Sequence, residues 1–110
     1  MSIKVELADL ADAVAGLAST CFYLSTNDDS TPHPANVRVS YDGAIFTLSA
    51  GRRSCRNSAA RPNVTLLWPA TDAEGMNLIV DGVATVVSAD DGHVTLAPSF
   101  AIWHVQPKAS

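Results

Sequence analysis

The sequence predicts a mainly β fold, in which one antiparallel sheet closes, or nearly closes, into a small barrel. Six or seven short segments are rich in β-branched and aromatic residues, and turn-forming residues separate them. The length supports the same conclusion, because 110 residues leave room for one hydrophobic core. We therefore expect a single domain over residues 1–110.

The first predicted element is a helix over residues 7–18. Leu10, Val14 and Leu17 recur at spacings of three and four, which places them on one face of a helix. Residues 20–26 are rich in β-formers and end at a cluster of turn residues. They predict the first strand.

A hairpin is the clearest local signal. Apolar and polar residues alternate over residues 34–41, and Asp42 and Gly43 have the composition of a two-residue turn. The chain then returns as a strand over residues 44–50. Ser54 follows closely and has the hydroxyl of a helix N-cap, so it predicts a short helix that ends before a proline.

The second half of the chain predicts only strands. After a strand over residues 64–68 comes the longest one, residues 76–88, in which Gly82 indicates a bulge. Two further strands are expected at residues 93–96 and 100–106, because a proline separates them. The residues expected in the barrel core or an interface are Val37, Val39, Val64, Leu66, Val80 and Val83.

Charge and composition exclude several functions. The net charge of −4 argues against non-specific nucleic-acid binding, and the absence of a long apolar run argues against a membrane span. With only 16% charged residues, part of the surface is expected to lie against a partner subunit. Cys21 and Cys55 fit neither a disulfide framework nor a metal site, so two reduced thiols in a cytoplasmic protein are the simplest interpretation, with one bridge as the alternative.

Four of the seven basic residues fall within ten positions, namely Arg52, Arg53, Arg56 and Arg61. A glycine, a helix start and forked cationic donors are together the parts of a phosphate or carboxylate site. An arginine-rich turn that only meets water is the alternative.

Asn36, Arg38 and Ser40 form a polar row on one strand, which either faces water or hydrogen-bonds a planar ring. The three histidines are far apart in the sequence, so no metal site is expected. No residue stands out as a catalytic nucleophile, acid or base.

The order of these elements resembles the pyridoxamine 5'-phosphate oxidase-like superfamily of flavin-binding split barrels. The resemblance rests on the hairpin of residues 34–50, on Gly-Arg-Arg-Ser-Cys-Arg-Asn at 51–57, on Asn-Val-Thr-Leu-Leu at 63–67 and on Leu-Ile-Val-Asp-Gly at 78–82. It implies an antiparallel split β-barrel with an N-terminal helix and one short helix. It also implies a homodimer that binds FMN, or in some branches the deazaflavin coenzyme F-420, at the subunit interface.

The same resemblance implies a set of cofactor-binding residues. The flavin ring would lie beside Asn36, Val37, Arg38, Val39, Leu48 and Ser49. The phosphate would be held by Arg52, Arg53 and Ser54, and Asn77 would reach the ring from the partner subunit. Phe100 would lie near the ring.

Two departures from the family pattern limit the functional expectation. Ser54 stands where the family commonly has a lysine, and Arg38 lies one place from the family's strand arginine. We therefore expect a flavin- or deazaflavin-dependent oxidoreductase of an unidentified small molecule, and not a true pyridoxamine-phosphate oxidase. The alternatives are a non-catalytic module that binds a flavin, a tetrapyrrole or another planar anion, and a dimeric barrel that has no cofactor.

Overall fold

The structure is a computed structural model that describes residues 2–72 and 75–107. In this part of the chain it has seven strands, two α-helices and one 3-10 turn, so the fold is mainly β as predicted. The strands are β1 (Ser2–Val5), β2 (Thr20–Thr26), β3 (Pro32–Tyr41), β4 (Phe46–Ser49), β5 (Asn63–Trp68), β6 (Met76–Ser88) and β7 (His93–Val105). The helical segments are the 3-10 turn (Leu7–Asp9), α1 (Leu10–Ala15) and α2 (Arg52–Ala60).

Strands β2 to β7 form an antiparallel barrel, as the sequence predicted. They are hydrogen-bonded in the order β7-β4-β3-β2-β5-β6, and β6 pairs with β7 again to close the sheet. Strand β4 pairs with the first part of β7, and strand β1 pairs with its last part, where Ile3 lies opposite Trp103. Closure removes most of the free strand edges.

The N-terminal region differs from the prediction. The helix predicted over residues 7–18 is shorter, because the α-helical part ends at Ala15 before Gly16. Strand β1 was not predicted, because its pairing with β7 bridges about a hundred residues of sequence and leaves no local signal.

The turn of the β3–β4 hairpin begins where predicted but is longer, because it spans residues 42–45 instead of two residues. Tyr41 lies opposite Phe46, so the returning strand begins two residues later than expected. Oδ1 of Asp42 accepts hydrogen bonds from the backbone N–H groups of Ala44 and Ile45, both at 2.8 Å. These two bonds also hold the pKa of Asp42 below its usual value.

The bulge predicted at Gly82 is present, but the extra residue lies in the partner strand. Asp81 lies opposite Phe100 and Gly82 opposite Pro98, which leaves Ser99 unpaired in β7. The predicted break at Pro98 is therefore wrong, since β7 continues through it as one strand. Only glycine fits at position 82, because a Cβ there would lie 2.6 Å from the carbonyl oxygen of Ala97.

The location of the bulge explains one wrong core assignment. Five of the six predicted core valines and leucines are buried, but Val83 is 47% exposed. Because the additional residue is in β7, strand β6 keeps its alternation across Gly82, and Val80 and Val83 point to opposite faces.

The barrel interior is apolar apart from a buried polar contact with α2. Tyr23 and Phe46 are its largest fully buried side chains. The hydroxyl groups of Tyr23 and Ser58 are hydrogen-bonded at 2.5 Å, and Nδ2 of Asn57 donates to Oγ of Ser25. These bonds fix α2 against β2.

Both thiols are free and buried, which agrees with the expectation of two reduced cysteines. Burial raises the pKa of Cys21 to about 12 and also raises the pKa of Cys55. The thiolate, which is the reactive form, is therefore scarce at neutral pH. Separately, none of the helices found within residues 2–72 and 75–107 is both long and apolar enough to cross a membrane.

Candidate functional site

A depression of about 480 Å³ lies on the outer face of β3, β4 and the start of β7. We call it the polar depression. Arg38 lies opposite Ser49, and Ser49 lies opposite His93 on the next strand. The residues that line it are Ser19, Arg38, Val39, Ser40, Thr47, Leu48, Ser49, Asp91, Gly92 and His93.

Four of the predicted cofactor-binding residues meet in this depression. Arg38 and Ser49 have outward, exposed side chains. Val39 and Leu48 have buried side chains that point into the barrel, so they offer their backbone to the depression. The result is a flat floor of backbone with a cation and hydroxyl groups above it, which suits a planar, polar ring.

Two other predicted ring residues lie beside this region. Asn36 is exposed on the outer face of β3, two residues before Arg38 and opposite Phe22 of β2. Val37 is 4% exposed and points into the core. Its contribution to a bound ring is therefore limited to its backbone.

The start of α2 is fixed directly beside the polar depression. The Ala50 N–H donates to the carbonyl oxygen of Gly92 at 2.8 Å. Only glycine fits at position 92, where φ is +70° and a Cβ would lie 2.3 Å from the Ala50 carbonyl oxygen. Helix α2 begins two residues later with Gly51 as N-cap. Backbone N–H groups of its first turn therefore lie near the end of the depression.

The predicted phosphate-binding residues diverge. Arg52 lines a depression against the end of β6, together with Val86 and Asp90. Arg53 lines another, of about 570 Å³, that also includes Asp29. The pKa of the Asp29 carboxyl lies below its usual value, first because of hydrogen bonds from Thr31 and further because of the positive charge of Arg53.

Ser54 has a different place from the one predicted. It is not the helix cap, because α2 begins at Arg52 and its N-cap is Gly51. Its side chain is 1% exposed, and its Oγ atom has no hydrogen-bond partner within the described residues. Because the whole residue is this buried, a ligand outside the barrel does not reach Ser54.

Asn77 lies far from the polar depression of its own chain. It is eleven residues from Ser88, the residue of β6 that pairs with His93, which corresponds to roughly 35 Å along the strand. Its side-chain oxygen accepts a hydrogen bond from the Ala70 N–H at 2.8 Å. Phe100 lies between Asn77 and the depression. Its side chain is exposed on β7, opposite Asp81.

His93 is the main residue of the depression that the sequence did not identify. It is half-buried at the first position of β7 and lies opposite Ser49. Its position at the start of a strand was predicted, but the pairing of β7 with β4 is non-local and could not be read from the sequence. Within residues 2–72 and 75–107 no three metal-ligating side chains lie together, so His93 belongs to no such cluster.

A row of apolar side chains crosses the other half of the outer face. Four side chains lie opposite one another on neighbouring strands and form what we call the apolar belt: Phe22 of β2, Leu67 of β5, Ile79 of β6 and Ile102 of β7. Phe22 is 37% exposed, and the other three are partly exposed in the single chain. Asn36 lies at one end of the belt, between Phe22 and Arg38.

Sequence comparison gives two relatives that match part of the chain, and both are uncharacterised proteins. No protein-family model matches the chain. Over 58 residues it is 41% identical to the uncharacterised protein Mb0449c of Mycobacterium bovis, and the uncharacterised protein MT0457 of Mycobacterium tuberculosis matches equally. The match covers 49% of this chain and 41% of each relative, so the chain spans about two fifths of their length.

Comparison with solved structures is more informative. The FAD-binding protein of Mycobacterium smegmatis superimposes with a TM-score of 0.69 at 19% identity, over 96% of this chain and all of the other. An F420 reductase gives 0.61 at 14% identity, over 82% and 94% of the two chains. HutZ, the heme storage protein of Vibrio cholerae, gives 0.64 at 14% identity, over 89% and 94%.

Proposed function

The chain has the split-barrel fold of the pyridoxamine 5'-phosphate oxidase-like superfamily, and on that premise we propose that it binds a flavin-type cofactor in the polar depression and acts as an oxidoreductase. The fold supports a cofactor-binding role, because its structural neighbours include proteins named for FAD, F420 and heme. The observation that carries the proposal is the convergence of the exposed side chains of Arg38, Ser40, Thr47 and Ser49 in one depression.

The residues present fit the ring of a flavin better than its phosphate tail. Arg38 and the hydroxyl groups of Ser40, Thr47 and Ser49 supply donors to the polar edge of a ring. The start of α2 supplies backbone N–H groups for an anion, and Arg52 and Arg53 lie on its first turn with exposed side chains. A bound flavin would supply the hydride chemistry, while these residues hold and orient it.

The same proposal includes a homodimer that forms through the apolar belt. An isologous interface places one end of the belt of each subunit against the opposite end of its partner's belt. The Asn36 and Arg38 end would then meet the partner's Ile102 end, beside which Asn77 lies opposite His104. This arrangement accounts for how a residue distant from the depression within one chain can contribute to it from the other.

One observation favours a second candidate function, the binding of a tetrapyrrole without redox turnover. His93 lines the polar depression, and a neutral imidazole is a suitable axial ligand for heme iron. A structural neighbour, HutZ, is a heme storage protein. The cofactor spectrum distinguishes this candidate from the first.

Titration of the purified protein with FMN, the deazaflavin coenzyme and heme tests both candidates. We expect a flavin to bind, and Arg38→Ala to weaken its binding about tenfold to a hundredfold, because a hydrogen bond to a charged group contributes about 1.5–3 kcal/mol. The control is Arg56→Ala, which removes another exposed arginine, on α2 and outside the depression. Redox turnover of the bound flavin by NAD(P)H or a reduced deazaflavin then tests the oxidoreductase part.

The phosphate site is tested separately with the double variant Arg52→Ala/Arg53→Ala. Because the two side chains line different depressions, we expect one of them to contact the phosphate directly, and loss of that contact predicts a decrease in affinity of about one to two decades. If the double variant binds the flavin with wild-type affinity, both arginines are simply solvated and neither holds the phosphate. If neither flavin binds below about 100 μM, and Arg38→Ala matches wild type, the flavin proposal fails.

A further inference from the structure

A cleft between helix α2 and the turn that joins β2 to β3 combines three arginines with two aspartates. We call it the arginine cleft, and its volume is about 570 Å³. The residues that line it are Asn27, Asp28, Asp29, Arg53, Arg56, Asn57, Ala60 and Arg61. The function proposed above uses at most Arg53 of this set.

The cationic side of the cleft is one face of α2. Arg53, Arg56 and Ala60 lie three and four residues apart, so their side chains project from the same side of the helix. Both arginines are exposed, and the half-buried Arg61 follows at the helix end. Within residues 2–72 and 75–107 none of these three guanidinium groups forms an ion pair. Like charges this close on a helix repel each other, so the arrangement favours a bound anion.

Buried polar contacts hold the helix against the turn and fix the shape of the cleft. Asn57 is 3% exposed, and its Nδ2 donates to Oγ of Ser25 at 3.1 Å and to Oδ1 of Asn27 at 3.0 Å. Nε of Arg61 donates to the Thr26 carbonyl oxygen at 2.8 Å, which orients the guanidinium group. Its Nη groups have no partner among the described residues. A donor that is already oriented loses less conformational entropy when a ligand binds.

The opposite side of the cleft, formed by the turn, is acidic. The Asp29 carboxylate is held within the turn, because its Oδ1 accepts hydrogen bonds from the N–H and the hydroxyl of Thr31. Asp28 is exposed, and its carboxylate has no hydrogen-bond or ion-pair partner in the part of the chain that the structure describes. This side would repel a second negative charge of a ligand and attract a positive one.

We propose that the arginine cleft binds a small zwitterion, with a phosphate or carboxylate group on the α2 side and an ammonium group on the turn side. The opposite charges of the two sides carry this inference. A polyanion such as a nucleic acid does not fit, because the turn carboxylates and the net charge of −4 would repel it. The inference does not depend on the flavin.

The probe for the test is O-phosphoethanolamine, which carries a phosphate and an ammonium group two carbons apart. The matched control ligand is ethyl phosphate, which lacks only the ammonium group. Isothermal titration calorimetry at low salt measures both dissociation constants. We expect O-phosphoethanolamine to bind about threefold to fivefold more tightly, because only its ammonium group can pair with the exposed Asp28. Asp28→Asn should remove most of that difference.

A pair of charge-removing variants tests the location. Arg56→Ala should raise the dissociation constants of both ligands about tenfold, because a charge-assisted contact to the phosphate is lost. Lys4 is an exposed cation on β1 outside the lining, and Lys4→Ala should change both constants less than about twofold. Thermal unfolding of both variants checks that the fold is intact.

An FMN titration of the same samples separates this inference from the proposed function. Arg56→Ala should bind FMN as wild type does, and Arg38→Ala should bind O-phosphoethanolamine as wild type does. Absence of FMN binding with intact O-phosphoethanolamine binding would refute only the cofactor.

Three results would overturn the arginine cleft as a separate zwitterion site. The first is that neither probe binds below about 10 mM, or that Arg56→Ala and Lys4→Ala bind them equally, since the arginines are then only solvated. The second is that the two probes bind with equal affinity, which removes the ammonium group from the assignment. The third is that FMN competes with O-phosphoethanolamine, because the cleft would then hold the flavin phosphate.

Discussion

The polar depression and the apolar belt lie on the same outer face of one barrel but differ in nearly every chemical respect. The depression is formed by β3, β4 and the first part of β7, and its outward residues are Arg38, Ser40, Thr47, Ser49 and His93. The belt crosses β2, β5, β6 and the second part of β7, and its outward residues are all large and apolar. Strand β7 contributes to both regions.

This contrast shows what the alternation of a strand does and does not determine. Alternation sets which residues point outward, and on β3 it places Asn36, Arg38 and Ser40 in water. The chemistry of the outward residues then decides whether the surface suits a polar ligand or another apolar face. A four-strand apolar row exposed to water is unusual in a monomer, whereas a polar row is ordinary.

The largest effect that we expect concerns the belt. Ile79→Asp places a carboxylate in the middle of the proposed dimer interface in both subunits. Burial of two unpaired charges should raise the dimer dissociation constant by about a hundredfold to a thousandfold. Analytical ultracentrifugation over a range of concentrations measures that constant.

The control for this variant is Thr85→Asp, which introduces the same charge at an exposed outward position of the same strand. It should leave the dimer constant within about threefold of wild type. A wild-type protein that is monomeric at micromolar concentration would contradict the role assigned to the belt. It would also remove the route by which a partner's Asn77 reaches the depression.

The second prediction tests the alternation on which both regions depend. Val80 is fully buried and Val83 is 47% exposed, although a bulge lies between them. Val80→Ala should lower the free energy of unfolding by about 2–3 kcal/mol through lost burial and a residual cavity, and Val83→Ala by less than about 0.5 kcal/mol. Denaturant unfolding at matched m-values measures both. Equal losses would mean that the extra residue of the bulge lies in β6 and not in β7.

The elements that the sequence predicted best are those determined by local pattern. Strands β2 and β6 have their predicted bounds, and β3 begins two residues earlier than predicted. Strand β1 and the continuity of β7 depend on pairings between distant segments, so no local pattern reveals them. Position 83 was misassigned for a related reason: a glycine marks a bulge, but not which strand holds the additional residue.

The candidate site was predictable to the extent that it lies on one hairpin. Arg38, Val39, Leu48 and Ser49 are brought together by the β3–β4 pairing, which alternation and a turn signal already indicated. His93 joins them only through the β4–β7 pairing. The divergence of Arg52 and Arg53 depends on where α2 begins. With Ser54 as the N-cap both arginines would precede the helix, whereas α2 begins at Arg52, and consecutive residues of an α-helix point about 100° apart.

The smallest effect that we expect concerns Asp42, at the turn of the hairpin that carries the polar depression. Its carboxylate accepts two backbone N–H groups, and its pKa is therefore lower in the folded than in the unfolded protein. A carboxyl of this kind stabilises the fold fully above its unfolded pKa, and the contribution disappears as the pH falls through its folded pKa. Asp42→Ala should consequently lower the melting temperature at pH 7, and the difference from wild type should vanish as the pH is lowered into the acidic range. Melting curves of both proteins between pH 7 and pH 3 provide the measurement.

The matched control is Asp90→Ala, since Asp90 is an exposed aspartate at the opposite end of the depression's strands. A difference between Asp42→Ala and wild type that does not depend on pH would mean that the turn is stabilised by its backbone geometry and not by the charge of Asp42.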